Sequence, residues 1–258
     1  MTQTPAHDIC AVGNAIVDVL APCDPAFLEA QGLTPGSMQL VDAGQSAALY
    51  AAMAAGVEAS GGSAGNTVAG VGSLGGRAAY IGKVADDTLG QVFTHDIRAA
   101  GVAFDTPPLV GGADQGLGTG SCMINVTPDG QRTMCTFLGA ANQLTVDDID
   151  PALIGASAIV YLEGYLFDPA PARAAFEAAA AAAHAAGRKV AITLSDTFVG
   201  PAGAPSCSTS SNAPPTSCWP TRPSWRRCSS TRTSTTPPPC WRNGSRWPGS
   251  PVAPTARW

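Results

Sequence analysis

No aspartate or glutamate follows Asp196, no leucine follows Leu194 and no phenylalanine follows Phe198 in this chain of 258 residues. Folding must offset the conformational entropy of every ordered residue, and buried aliphatic and aromatic side chains supply most of that offset. A packed core must therefore be built from the first 200 residues. The stretch beyond holds all five tryptophans and seven arginines, Arg222, Arg226, Arg227, Arg232, Arg242, Arg246 and Arg257, in a background of Ser, Pro and Thr. The body up to Asp196 holds all 19 acidic residues. The tail, 201–258, cannot bury enough apolar surface to order itself and is expected to be disordered.

Within the body, apolar runs alternate with helical patterns. Asp8–Gly13 reads as a buried strand ending at a glycine, and Ala15–Leu20 continues as apolar, β-branched sequence. Ser37–Val41 is a further short strand. Gln45–Ala55 is alanine-rich and predicts a helix, as does the apolar spacing of Thr67–Leu74. Arg77–Val84 predicts a strand, and Asp87–Ala100 a helix whose acidic start suits the positive end of its dipole. Ser121–Thr127 and Arg132–Leu138 flank Pro128-Asp129-Gly130, a turn that predicts a hairpin. Ser157–Leu162 and Lys189–Leu194 are strands around an alanine-rich helix over Pro169–Ala186, closed by Gly187. This rhythm implies an α/β fold, with a parallel sheet covered by helices on both faces. The hairpin breaks the rhythm and implies a β appendage.

The totals exclude several classes. With 45% hydrophobic and 13% charged residues, the chain suits a compact domain with a buried core. No run of 18 apolar residues predicts a membrane span, and Met1–His7 lacks the pattern of a secretory signal, so a cytoplasmic enzyme is expected. The cysteines form no Cys-x-x-Cys pair, and the three histidines are scattered, so no metal site is expected. Cys10, Cys23, Cys122 and Cys135 read as small core residues.

Ligands of such sheets bind at the C-terminal ends of the strands. Three groups lie at predicted strand ends or loops: Gly13-Asn14 with Asp18, Gly61-Gly62 with Asn66, and Glu163-Gly164. Two amides and two carboxylates beside glycines suit a polyhydroxyl compound, because carboxylates accept from hydroxyls and amides both donate and accept. Plainer readings exist for each. Asp18 could be a solvated loop residue, Asn66 a helix N-cap and Glu163 a surface residue at a strand end. Gly61–Gly65 could be a simple turn or a phosphate cradle, although no Gly-Lys-Ser/Thr follows it. Lys83 reads as solvated rather than as a phosphate contact, and His184 as non-catalytic.

Gly61–Asn66 followed by Leu74-Gly75, Tyr80–Val84 and Asp86-Asp87 resembles the N-terminal signature of the ribokinase-like (phosphofructokinase B) kinases. Gly13-Asn14 with Asp18 resembles that family's first strand, and the hairpin before Leu138-Gly139-Ala140 its β lid. The match spans 8–199, departing at Val68, where a small residue is common, and Ala85, where glycine is common. The resemblance implies residues 1–200 of a ribokinase-like domain with lid segments at about 15–43 and 118–140. It implies ATP-dependent phosphoryl transfer to a sugar or nucleoside hydroxyl, with the adenosine-kinase side of the family favoured. Asn14, Asp18, Gly62, Asn66 and Glu163 would hold the substrate, and the lid would exclude water. Lid pairing varies in the family, so a monomer and a lid-paired homodimer both remain open.

In that family the C-terminal third supplies a Gly-Ala-Gly-Asp anion site with its general base, most of the ATP pocket, and an Asn-x-x-Glu motif that organises Mg2+. With no Asp or Glu after Asp196, this chain has no counterpart of the base, and the expectation is a truncated, inactive kinase. A non-catalytic sugar- or nucleoside-binding remnant is the alternative. A nucleic-acid-binding tail is disfavoured, because its arginines form no repeats with glycine or aromatics.

The tail's residue types share an origin in the genetic code. Almost all of 202–258 is Ser, Pro, Thr, Ala, Arg, Cys, Trp or Gly, whose codons carry C or G at the second base; Asn212, Asn243 and Val252 alone do not. A GC-rich gene read one base out of phase gives this set. One GC-rich codon choice from Ser206 onward, read from the third bases, gives helix-like text containing Asn-Glu-Ala-Glu, a form of the missing Asn-x-x-Glu. The expectation is a frameshift between about Phe198 and Ser206. Resequencing the gene across codons 190–210 should reveal a gained or lost base, and a single unshifted frame refutes it.

Overall fold

The computed structural model of the chain describes residues 4–167, 169–193, 195 and 217–219, the last three by their backbone course only. The first apolar run forms β1 (His7–Val12), in which Cys10, Ala11 and Val12 are fully buried. β2 (Ile16–Pro22) leads to a short helix, α1 (Pro25–Ala30), opened by a proline whose missing N–H costs nothing there, and then to β3 (Met38–Leu40). α2 (Ala43–Ala52) starts at a capping box. Asp42 accepts the Gln45 N–H at 2.8 Å, and the Gln45 side chain accepts the Asp42 N–H at 3.0 Å. That box sets the start two residues before the predicted one, and extended backbone at Met53 ends the helix before Ala55.

β4 (Val57–Ser60) follows, and then α3 (Ser63–Ser73), which begins before the predicted Thr67. β5 (Ala78–Ile81) leads to α4 (Thr88–Ala99), capped by Asp87, whose carboxylate accepts the Gly90 N–H at 2.8 Å. After β6 (Val102–Phe104) comes the hairpin of β7 (Gly120–Val126) and β8 (Arg132–Phe137). At its turn Gly130 has φ +81° and donates to the Thr127 carbonyl at 2.8 Å. α5 (Pro151–Gly155), β9 (Ser157–Glu163), α6 (Ala170–Ala185), β10 (Lys189–Thr193) and β11 (Ser217–Trp219) complete the described chain.

Six strands form one parallel sheet in the order β11-β10-β9-β1-β5-β6. Helices cover both faces, as parallel sheets require. Cys10, Val12, Ile81, Val160 and Leu162 pack on one face with Ile154 of α5 and Phe176 of α6. Ala11, Tyr80 and Phe104 pack on the other with Val68 of α3 and Phe93 of α4. The expected α/β class, with its parallel sheet sandwiched by helices, is what the chain forms. In the tail, the three residues of β11 pair in parallel with β10, from Ala191↔Ser217 to Thr193↔Trp219. The sequence predicts no strand there, and the rest of the expectation for 201–258 lies outside the described residues.

A second sheet has the order β3-β8-β7-β2-β4, with β7 antiparallel to β8 and parallel to β2. β2, β3, β7 and β8 fall within 15–43 and 118–140, and β4 joins from outside those segments. The core around α4 runs on into this sheet through Val17, Val19, Met123 and Cys135. Cys10, Cys122 and Cys135 are buried, whereas Cys23 is only partly so. Burial pushes the Cys10 and Cys122 thiols up to about 12, which keeps them protonated and unreactive. Among the described residues, no helix is long and apolar enough to cross a membrane.

Phe93 sits where both sheets lean on α4, with ring centroids 5.3 Å from Phe104 and 5.9 Å from Tyr80. It is fully buried, so Phe93→Ala should cost about 3–5 kcal/mol in urea denaturation followed by circular dichroism. Leu74→Ala, at a side chain 91% exposed, should stay within about 0.5 kcal/mol of the parent in the same measurement.

Candidate functional site

Parallel pairing brings the sequence-predicted residues to one edge. Val12 is in register with Ile81 on one side and Leu162 on the other, so Gly13-Asn14 and Glu163 leave the sheet side by side. The start of α3 lies against them. Its N-cap, Gly62, has φ +82°, and a β-carbon there would collide with the Asn14 carbonyl oxygen. Glycine alone meets both conditions.

Glu163 joins these segments. It is 1% exposed, not a surface residue. Oε2 accepts the Asn14 N–H at 2.6 Å, and Oε1 accepts the Ser63 hydroxyl and the Ala64 N–H, the latter at 3.1 Å. Burial raises its pKa above the usual carboxylate value, and these hydrogen bonds pull it back only in part. The buried Tyr80 phenol lies close by and is pushed well above its ordinary value by burial and by the Glu163 charge. Ser63 has no signal of its own in the sequence. It lies within the quoted glycine-rich stretch, and its partner is 100 residues away.

The second sheet brings Asp18 to the same place. Gly61 donates its N–H to the Ile16 carbonyl at 2.8 Å, which lays the glycine turn against β2. A β-carbon on Gly61 would overlap the Asp18 carboxyl group. The Asn66 side chain lies near the Asp18 carboxylate and favours its charged form, so two of the predicted residues are neighbours. Asp18 is a partly buried strand residue rather than a solvated loop residue. Desolvation raises its pKa to about 6, against the lowering effects of the Asn66 amide and the Arg132 charge. Asn66 is not an N-cap. Its N–H bonds the Gly62 carbonyl at 2.8 Å inside the first turn, which leaves its exposed side chain beside Asp18. Asn14 is 3% exposed, and its Oδ1 has no hydrogen-bond partner among the described residues. Such a buried acceptor is costly unless something donates to it.

Lys83 does not belong to this cluster, and it is not solvated. It pairs with Asp148 at 2.5 Å, with side chains 12% and 7% exposed, tying the end of β5 to the segment that returns from β8. Asp86 accepts the Gly111 N–H and Asp87 accepts from Thr119, so both brace loops. Among the described residues, no three His, Cys, Asp or Glu side chains are grouped. The two carboxylates at this edge, Glu163 with three donors of the chain on it and Asp18 desolvated, are not arranged to hold a magnesium ion.

A family model described as "pfkB family carbohydrate kinase" matches residues 36–207. The adenosine kinase of Sinorhizobium meliloti is 53% identical, with a TM-score of 0.69 over 75% of this chain and 58% of that one. A probable sugar kinase protein of Rhizobium etli CFN 42 is 46% identical, with a TM-score of 0.70 over 76% and 58%. The adenosine kinase of Trypanosoma brucei brucei, 24% identical with a TM-score of 0.66, shares the fold. The chain thus spans 58% of the length of the first two. With a family match over residues 36–207, which takes in the glycine turn and the strands from β3 to β10, the chain belongs to the pfkB family of carbohydrate kinases.

Proposed function

We propose that this chain binds a nucleoside, adenosine or a close relative, at the edge formed by Asn14, Asp18, Gly62 and Asn66. The observation that carries the reading is the pairing of a buried, unpartnered Asn14 Oδ1 with a neighbouring carboxylate–amide pair, Asp18 and Asn66. A ribose presents vicinal hydroxyls that can donate to Oδ1 and to the carboxylate while accepting from the Asn66 amide. The 53% identity to an adenosine kinase favours a nucleoside over a free sugar. The 46% identity to a probable sugar kinase supports the second reading, a sugar ligand. The second sheet, which carries Asp18, would act as a lid that shields the ligand from water.

Phosphoryl transfer is a different matter. The family's general base, anion site, ATP pocket and magnesium motif lie in its C-terminal third, and no Asp or Glu follows Asp196 here. The reading is therefore of a cytoplasmic chain that binds substrate without phosphorylating it. Calorimetry of the full chain with adenosine, inosine, ribose and fructose tests this. Adenosine should release heat with a 1:1 stoichiometry, and ATP plus adenosine should yield no AMP. Binding of a sugar but no nucleoside would select the second reading, and AMP formation would overturn the loss of transfer.

Asp18 also makes stability depend on pH. Its folded-state pKa, about 6, lies above the unfolded value of 3.8. Between these values the unfolded chain gives up the proton more readily, so stability falls as pH rises through the window and the penalty is complete above about 6. Asp18→Asn removes the penalty. The variant should gain about 1–3 kcal/mol at pH 7.5 and almost nothing at pH 4 in urea denaturation, while adenosine affinity drops at least about tenfold.

A further inference from the structure

Glu163 is the carboxylate at this edge that is engaged on both oxygens by the chain itself: Oε2 accepts the Asn14 main-chain N–H, and Oε1 the Ser63 hydroxyl and the Ala64 N–H. The side chain is 1% exposed and lies under the Gly13-Asn14 turn, where a β-carbon on Gly13 would stand 2.9 Å from Oε2 and 2.5 Å from the Ala64 β-carbon. The three donors sit on two segments. One follows β1 and carries Asn14. The other opens α3 and carries the glycine turn and Asn66. Both are fixed to the last residue of β9. The Asn14 N–H is thereby pinned while its Oδ1 stays unpartnered, which leaves the side chain aimed but unspent.

We infer that Glu163 is a positioning residue that sets the spacing between Asn14 and the Gly61–Asn66 turn, and does not itself touch the ligand. At 1% exposed beneath the Gly13-Asn14 turn, with three donors of the chain already on it, the carboxylate offers a ligand hydroxyl no open approach. Gln is the informative replacement, because its amide keeps one acceptor oxygen and replaces the other with an NH2 donor. The NH2 must then face either the Asn14 N–H or the Ser63 and Ala64 donors, so one arm of the clamp opens whichever way the amide turns.

The binding half of this inference rests on the nucleoside reading, and the structural half does not. Hydrogen-exchange mass spectrometry on the full chain tests the structural half. Glu163→Gln should speed exchange at least about tenfold in segments 12–16 or 62–66, with 174–184 of α6 unchanged as the sign of an intact fold. Unaltered exchange in both segments overturns the clamp. If Glu163→Gln does not fold, Ser63→Ala serves instead: faster exchange at 62–66 supports the clamp and no change overturns it. Adenosine calorimetry then compares Glu163→Gln, Asn14→Ala and the double variant. A positioning role predicts that the double variant loses little more than the worse single one, because Glu163 acts through Asn14. Losses that multiply would mean that Glu163 contacts the ligand directly, which overturns the inference. If the parent chain binds no adenosine, the nucleoside reading falls, and the exchange result alone decides the role of Glu163.

Discussion

Everything at the candidate site hangs from the parallel pairing of β1 with β5 and β9. Val12, Ile81 and Leu162 lie in one register, so the chain leaves the sheet at three adjacent points on the same edge. Parallel strands must be covered on both faces, and α3 and α6 provide that cover from opposite sides. A helix that returns over the sheet starts near a strand's C-terminal end. That brings the first turn of α3, with its glycines, to the residues that follow β1. The position of the polar cluster is a consequence of sheet topology and owes little to the polar residues themselves.

Their orientation is another matter, because bringing polar groups together in a buried place costs free energy unless each finds a partner. Glu163 is desolvated, yet it answers main-chain and hydroxyl donors that would otherwise be stranded at the start of α3 and at Asn14. Its stabilising role depends on all of them, since one lost partner leaves the rest under strain. Asp18 is in the opposite position. It has the Asn66 amide and a distant Arg132 charge, and desolvation still raises its pKa to about 6. One carboxylate is buried and engaged by the chain's own donors, and the other is underserved. On the proposed reading, that asymmetry gives the first a structural role and leaves the second for ligand contact.

Local signals were the legible ones. Asp87 before an amphipathic run gave the start of α4, and Pro128-Asp129-Gly130 gave the hairpin, because caps and turns are decided by a few neighbouring residues. The alanine-rich run from Gln45 predicts α2, but the capping box at Asp42 starts the helix two residues earlier. β4 and β6 carry no strand pattern. Val57-Glu58-Ala59-Ser60 has one β-branched residue, and Val102-Ala103-Phe104 is too short to show a period. At the site, residue types and strand-end positions pointed to Asn14, Asp18, Gly62, Asn66 and Glu163 as a group. The division of labour among them was hidden, since the Ser63–Glu163 and Lys83–Asp148 contacts span 100 and 65 residues. No periodicity reports a contact of that range, so the sequence alone does not show that Lys83 is ion-paired.

On the proposed reading, the composition break near residue 200 separates two tasks that a kinase ordinarily combines. Recognising a ribose takes hydrogen-bonding groups fixed in space, and the body would supply them from strand ends and the first turn of α3. Transferring a phosphoryl group requires stabilising charge that appears only in the transition state, and taking a proton from the attacking hydroxyl. The tail carries no carboxylate, histidine or lysine, the side chains that most often take such a proton. Uniform binding of substrate gives affinity and no rate. On the proposed reading the chain has the first set of groups without the second, and the physics that supports binding then argues against turnover.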